Sequence, residues 1–179
     1  MALPIKKKAS IKTKRIILKP YSERDLKQLA AILTDGEITK TFMVPDFETP
    51  EEAEKLAEKL ISFSRIEDAK HLEYGIYLND RMIGFVNDCE TEGSEIEIGY
   101  VICPDYQGCG YATEAVKAVI DELREMGFRK VKAGFFEENA ASRRVMEKCE
   151  MKQIDFCDEE EYRGIIHKCL YYEIYFSER

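Results

Sequence analysis

One stretch constrains the fold of this chain more than any other. In "EIEIGYVICPDYQGCGYATEAVKAVIDELREMG", Glu95 to Gly127, an alternating run passes through a glycine-bearing turn into a long amphipathic segment. Side chains alternate across a strand, so Glu95, Glu97, Gly99 and Val101 share one face and Ile96, Ile98, Tyr100 and Ile102 the other. The segment after Gly110 keeps helical spacing and stops at Gly127, a residue suited to the left-handed position that ends helices. A strand, a tight turn and a helix N-terminus together form a cradle for an anion, because the first helical N–H groups have no partners within the helix.

The turn itself, "QGCGYAT", is neither of the common nucleotide-binding glycine patterns. Gly108 and Gly110 let the backbone approach a ligand closely, and Ala112 keeps the first helical turn small. No lysine lies in the turn, so backbone amides are the donors. That favours a pyrophosphate in a nest of N–H groups over a nucleoside triphosphate with Mg²⁺. The same glycines also suit a loop that only has to turn, and the turn alone leaves both readings open.

The rest of the chain supplies the frame. "RIILKP" reads as a strand ended by Pro20, which cannot donate to a ladder. Ser22 starts a helix with Leu26, Leu29, Ala30 and Leu33 on one side, and Thr49, Pro50 and Glu52 announce a second helix with a capping box. Gly36 to Glu48 between them is irregular and carries Phe42 and Phe47. Asn79-Asp80 separates two β-rich runs as a hairpin turn. "FRKVKAGFF" is a strand, "NAASRRVMEKCE" a short helix capped by Asn139, and "MKQIDFC" and "IIHKCLYYEIYF" are closing strands. The order β-α-α-β-β-β-α-β-α-β-β predicts a mixed α/β domain of the α+β type with a largely antiparallel sheet. The 179 residues suit one domain over residues 1–179, with the basic residues 1–13 expected to form a flexible tail.

Composition narrows the function. A net charge of -8 argues against general nucleic-acid binding, which needs a basic footprint. No apolar run reaches the ~20 residues of a membrane span. Six cysteines form no C-x-x-C, and with two histidines a zinc site is poorly supplied, so no metal is expected. Several cysteines lie among apolar neighbours as small hydrophobes, which fits a reduced, cytoplasmic protein.

"PDYQGCGYATEA" resembles motif A of the GCN5-related N-acetyltransferase (GNAT) superfamily, Q/R-x-x-G-x-G/A, with Gln107, Gly110 and Ala112 at its fixed positions. "KRIILKPYSERDL" and "EIGY" are similar to the ribosomal-protein-alanine/serine N-acetyltransferase (RimJ/RimL-like) branch. "NAASRRVMEKCEM" resembles that branch's N-x-x-S-x-x-V-x-E-K-x-G-F. The resemblance spans nearly the whole chain. It implies acetyl-CoA binding, a strand pair splayed at the cofactor, and direct acetyl transfer to a primary amine. On that likeness the backbone of Tyr100, Val101 and Ile102 pairs with the pantetheine arm. The turn residues Gln107, Gly108, Cys109, Gly110, Tyr111, Ala112 and Thr113 take the pyrophosphate. Asn139 binds the pantetheine arm, and Ser142 lies near the thioester. Arg143, Arg144 and Lys148 either reach CoA phosphates or form a solvated basic helix face.

The chemistry needs an oxyanion donor, a base for the amine and a proton for the leaving thiolate. A backbone N–H of Val101 or Ile102 is the candidate donor. Glu97 is the candidate base, its position resembling the catalytic glutamate of some superfamily members; the alternative is an ion-paired strand glutamate. Glu73, Asn87 and Asp88, on neighbouring strands, are candidates for holding the amine. Two departures from the family pattern stand out. Met146 occupies the place of a tyrosine that protonates the thiolate in many superfamily members, leaving Ser142 or solvent to do so, and Glu150-Met151 replaces Gly-Phe. Cys103 and Cys109 flank the turn; filler roles suit them better than a covalent route, although Cys109 is expected to be accessible. Tyr162 and Tyr172 are packing residues or acceptor-pocket walls. Three functions fit: acetylation of a protein N-terminal amine, acetylation of a small amine such as a polyamine, amino acid or antibiotic, and a non-catalytic acetyl-CoA-binding module. Either a monomer or a homodimer is compatible with the sequence.

Overall fold

The computed structural model describes residues 2–177. Its eight strands form a single sheet in the order β1-β2-β3-β4-β5-β6-β8-β7. The strands are β1 (Ile11–Lys12), β2 (Ile17–Lys19), β3 (Glu73–Leu78), β4 (Arg81–Glu92), β5 (Glu95–Ile102), β6 (Lys130–Phe136), β7 (Lys152–Tyr162) and β8 (Ile165–Tyr175). Every pairing is antiparallel except β5 with β6. The expected mixed, largely antiparallel sheet is therefore present, with the short β1 added at its edge.

Four helices cover the two faces: α1 (Leu26–Thr34), α2 (Pro50–Ser64), α3 (Tyr111–Met126) and α4 (Ala140–Lys148). Residues of α1 and α2 pack with Tyr77, Met82, Phe85 and Val101 on one face. Residues of α3 and α4 pack with Tyr74, Ile76, Ile96 and Ile98 on the other. The period-2 pattern of β5 thus feeds two separate cores from one strand. Helix α3 buries Ala115, Val116, Val119, Ile120 and Leu123, the stripe its sequence spacing predicts. Truncating Leu123 to alanine in such a core costs about 2–5 kcal/mol.

The local punctuation follows the sequence in most places. Asn79 and Asp80 both take positive φ, 48° and 64°, as a two-residue hairpin turn of the twisted kind requires. Gly127 ends α3 at φ 96°, and the N–H of Phe128 reaches back to the carbonyl of Leu123 at 3.1 Å. Asn139 caps α4, its Oδ1 accepting from the Ser142 N–H at 3.1 Å. The expected capping box of α2 forms differently. Thr49 makes no side-chain cap, and Glu52 accepts from the N–H of Glu48, one residue further out, at 2.8 Å.

The N-terminal segment corrects an expectation. In the stretch expected to trail as a flexible tail, Ile5 and Lys7 are buried and Ile11–Lys12 form β1, while Met1 lies outside the described residues. Ile5 is buried in the core beneath α3. The ammonium of Lys7 is buried too, donating to the carbonyls of Phe63 (3.1 Å), Asp68 (2.6 Å) and His71 (2.6 Å). Three acceptors for three N–H groups make that burial tolerable. A lysine count reads this segment as basic and solvated, and nothing local in the sequence announces the distant carbonyls.

Candidate active site

The site begins where the sheet opens. β5 and β6 pair in parallel only at Glu95–Lys130, Ile96–Val131 and Glu97–Lys132. β5 then continues to Ile102 and β6 to Phe136 without pairing, so the two strands part after Glu97. A register shift in β4 between Asp88 and Glu90 lies at the same level on the other side of β5. Such a bulge bends and twists a strand locally.

The backbone of β5 beyond the split can be assigned from the ladder. Cys103 donates its N–H to Ile83 in line with β4. Antiparallel ladders alternate, so the N–H of Val101, two residues back, also faces β4, while those of Tyr100 and Ile102 face the gap. Of the two residues expected as oxyanion donors, Ile102 turns its amide to the gap and Val101 does not; Tyr100 turns its amide there as well. Val101 is 5% exposed and packs its side chain with the α1–α2 core.

The glycine turn sits at the outer end of the gap. Gly108 and Gly110 take φ of 73° and 84°, the left-handed region that other residues adopt at a cost. Gly110 is the N-cap of α3 and offers no side chain to it, which leaves the amides of the first turn without helical partners. Gln107 is turned away from the helix, and its Nε2 donates to the carbonyl of Ile102 at 2.9 Å, locking the turn to β5. The backbone of this segment is therefore fixed with its first-turn amides left without helical partners.

Sequence reasoning missed the nearest cation. Arg15, from the turn between β1 and β2, lies over the Tyr111 ring at 4.5 Å and donates to the carbonyl of Cys109 at 2.8 Å. Its Nε pairs with Glu114 of α3 at 2.7 Å. Burial alone would raise the carboxyl pKa of Glu114, but hydrogen bonds from Thr13 and Arg15 outweigh it and hold the group below the usual range. The guanidinium thus reaches the turn from nearly a hundred residues away in sequence, and no local motif signals it.

A cavity of about 490 Å³ joins these parts. Along its walls lie Tyr100, Val101 and Ile102 of β5, then Gln107, Gly108, Gly110, Tyr111, Ala112 and Thr113 of the turn. Asn139, Ser142, Arg144 and Lys148 of the α4 region close it, with Glu37, Thr41 and Phe42 at the far end. Thirteen of these are residues singled out from the sequence for cofactor contact, counting Arg144 and Lys148 of the three basic candidates; Arg143 is not on the wall. Cys109 is exposed outside it, its thiol donating to the Gln107 carbonyl at 3.5 Å. Glu97 is not on the wall either. It stands at the split, paired with Lys132 at 2.8 Å.

The other candidates separate cleanly. Glu73 is buried and accepts from the Tyr21 hydroxyl at 2.6 Å. Asp88 holds the Leu72 N–H at 2.6 Å. Asn87 alone keeps a free polar atom: its Oδ1 is buried without a partner and lies 3.0 Å from where a side chain on Gly99 would begin. The ring of Phe42 covers the same spot at 3.5 Å. Tyr172 is buried against Phe135, away from this face, and so is no acceptor wall. Tyr162 reaches the Phe42 carbonyl at 3.5 Å. Met146 is buried in the core, and Glu150 takes φ 62° where a glycine is expected, so the helix exit keeps its shape and Met151 still plugs the core.

Comparison with known proteins agrees with this architecture. A family model described as an acetyltransferase (GNAT) domain matches residues 15–152, and the chain belongs to that family. It is 28% identical over 148 residues to the uncharacterized N-acetyltransferase YnaD of Bacillus subtilis, covering 82% of this chain and 84% of that protein. Among solved structures, the ribosomal L7/L12 alpha-N-protein acetyltransferase RimL in complex with coenzyme A superimposes with a TM-score of 0.80. Its identity is 18%, over 98% of each chain. The microcin C7 self-immunity acetyltransferase MccE, in complex with acetyl-CoA and AMP, gives 0.81 at 18% identity, over 96% of this chain and 98% of that one. At such identities the two structures speak for the fold alone. The family and its named relatives make this chain an N-acetyltransferase.

Acetyl-CoA, the donor the family implies, fits the residues present. The glycines of the turn leave open space where Cβ atoms would project at Gly108, and the backbone donors of Tyr100 and Ile102 face the gap. A buried hydroxyl without a partner, Tyr100 Oη, lies on a residue of the same wall.

Proposed function

We propose that this protein binds acetyl-CoA along the cavity between α3 and α4 and transfers its acetyl group directly to a primary amine presented from the α1–α2 side of the sheet. The observation that carries the reading is the parting of β5 and β6 after Glu97 and Lys132. It lets one cavity run from the glycine turn, past the free backbone of β5, to Phe42 on the opposite side. A thioester supplies an activated acyl carbon and a thiolate leaving group.

The residues divide the remaining work. The amides of Gly108 to Thr113 and the guanidinium of Arg15 hold the pyrophosphate. Asn139, already capping α4 with its oxygen, has its amide group left for the pantetheine arm. The N–H of Ile102 or Tyr100 faces the carbonyl oxygen as it gains charge. Glu97 takes the proton of the amine, directly or through water, and Lys132 beside it keeps the carboxylate oriented toward the split. Ser142 stands on the wall where the thiolate is released.

The acceptor is a primary amine, and a protein N-terminus is the first candidate. Arg163, at the turn between β7 and β8, donates to Thr39 Oγ1 at 3.0 Å and pairs with Asp46 at 3.2 Å. Together with Tyr162 this ties the hairpin to the loop that carries Phe42 and walls the acceptor side. A small amine such as a polyamine or amino acid passes the same walls and is the alternative. The experiment is a thiol-release assay with acetyl-CoA against peptides of varied first residue, polyamines, amino acids and aminoglycosides. Release with peptides that is lost on blocking their N-terminus supports the first acceptor. Release only with small amines supports the second. Binding of acetyl-CoA with no release on any acceptor would leave a binding module instead of an enzyme.

A further inference from the structure

A thiolate leaving group needs a proton, and a serine hydroxyl is a poor source of one because its own pKa lies far above that of a thiol. The strand β5 supplies a stronger acid on the same cavity wall as Ser142. Tyr100 precedes Val101 on β5, and its side chain points to the face covered by α3 and α4. Its hydroxyl is buried and makes no hydrogen bond. The Ser142 hydroxyl stands beside it and eases its ionisation, although the two groups do not meet hydrogen-bond geometry as they lie. Burial is the larger influence and pushes the phenol up to about 12. Cys149 is the other titratable group facing it, itself pushed up by burial to about 12. Burial thus keeps the phenol protonated at neutral pH. A buried phenol without a partner costs free energy, which argues that a partner arrives with the ligand. The backbone of Ser142 is fixed in place, since its N–H is held by Asn139 Oδ1 at 3.1 Å.

We infer that Tyr100 is the proton source for thiolate release, acting through the Ser142 hydroxyl. The inference rests on the acetyl-CoA reading above. As the C–S bond breaks, the electron pair settles on sulfur, Ser142 Oγ gives sulfur its proton, and Tyr100 Oη replaces it. The tyrosinate regains a proton from solvent once the product leaves. The amine proton goes separately to Glu97, which releases it to solvent as the tyrosinate is reprotonated, so charges and protons balance over the cycle. In this chain the phenol comes from strand β5, while Met146 fills the corresponding part of α4 with a buried, proton-free side chain.

The test needs no known acceptor. The ultraviolet absorbance of the CoA thiolate is followed against pH in complexes with the wild-type protein, Tyr100→Phe and Ser142→Ala. Phenylalanine keeps the ring that packs on the core, and Ser142→Ala leaves that packing untouched. We expect the bound thiol of the wild type to ionise at lower pH than in either variant, by about one unit, tenfold in acidity. Acetyl-CoA affinity, which lacks a free thiol, should change less than threefold. With an acceptor in hand, both variants should lose tenfold or more in kcat with KM unchanged, and the double variant should be no worse than either single one. Identical thiol titrations in wild type and Tyr100→Phe would overturn the inference while leaving the acetyl-CoA reading intact. Failure of the wild type to bind either CoA or acetyl-CoA would overturn that reading, and the inference with it.

Discussion

Glu97 and Lys132 form an ion pair at 2.8 Å on the last rung that β5 and β6 share. The pair sits where the sheet stops being a sheet and becomes a cleft. Its position explains how one residue serves two ends. The lysine ties the strands together at the fork, and Glu97 Oε1 lies 3.2 Å from where a side chain on Gly134 of β6 would begin, just past the last shared rung. Glu97→Gln should keep the fold and acetyl-CoA affinity yet lower turnover by roughly 10²–10⁴-fold, the usual worth of a general base. Steady-state kinetics with calorimetric binding on the same sample checks this, and unchanged turnover would remove Glu97 from the chemistry.

The buried carboxyl of Glu73 makes stability depend on pH. Burial pushes it up to about 8, against the hydrogen bond from Tyr21; Asp88 adds to the rise and Lys7 opposes it. Its folded pKa lies above the ordinary 4.5, so the folded state holds the proton more tightly. The stabilisation it gives is complete below about 4.5 and is lost as pH rises through about 8. Glu73→Gln keeps an acceptor for Tyr21 and cannot ionise. It should flatten the stability profile between those values and raise Tm at pH 8 by roughly 2–4 °C for each kcal/mol recovered. Thermal unfolding of both proteins across that range is the measurement.

Glu150 holds a left-handed conformation at φ 62°, just past the end of α4. The Met151 N–H still closes the helix end on the carbonyl of Met146 at 3.1 Å, so the turn is kept at the expense of strain. Glu150→Gly should stabilise the protein by about 1 kcal/mol, because only glycine takes this conformation freely. Urea unfolding should show a higher midpoint with an unchanged slope.

Arg15 tests whether the distant cation belongs to the site. Arg15→Met keeps part of its stem over Tyr111 and removes the charge. It should weaken acetyl-CoA binding several-fold at low salt and less at high salt, since the partly exposed charge is screened. Titrations at two ionic strengths read this, and equal affinity at low salt would confine Arg15 to pairing with Glu114.

Much of this was legible in the sequence, for a physical reason. Periodicity and capping are local, so β5, the turn and α3 could be read from Glu95 to Gly127, and Asn139 could be read as a cap. The parting of β5 from β6 was reached only through family resemblance, because pairing partners lie outside any local window. Arg15, the burial of Lys7 and the loss of Glu73 to Tyr21 all depend on contacts between segments 52 or more residues apart. The phase of the β5 ladder, which takes the Val101 amide out of use and offers that of Tyr100, needs the register with β4. No reading of β5 alone contains it.

On the proposed reading, the glycine turn at the start of α3 holds the donor's pyrophosphate. Calorimetric titration of acetyl-CoA into the wild type and into Gly110→Asp tests it most directly. Gly110 sits at φ 84°, and a side chain there begins 3.3 Å from the Arg15 guanidinium, over the amides that would face the phosphates. We expect saturable one-to-one binding to the wild type, abolished in the variant while its unfolding stays cooperative. Equal affinity in the two proteins would contradict it.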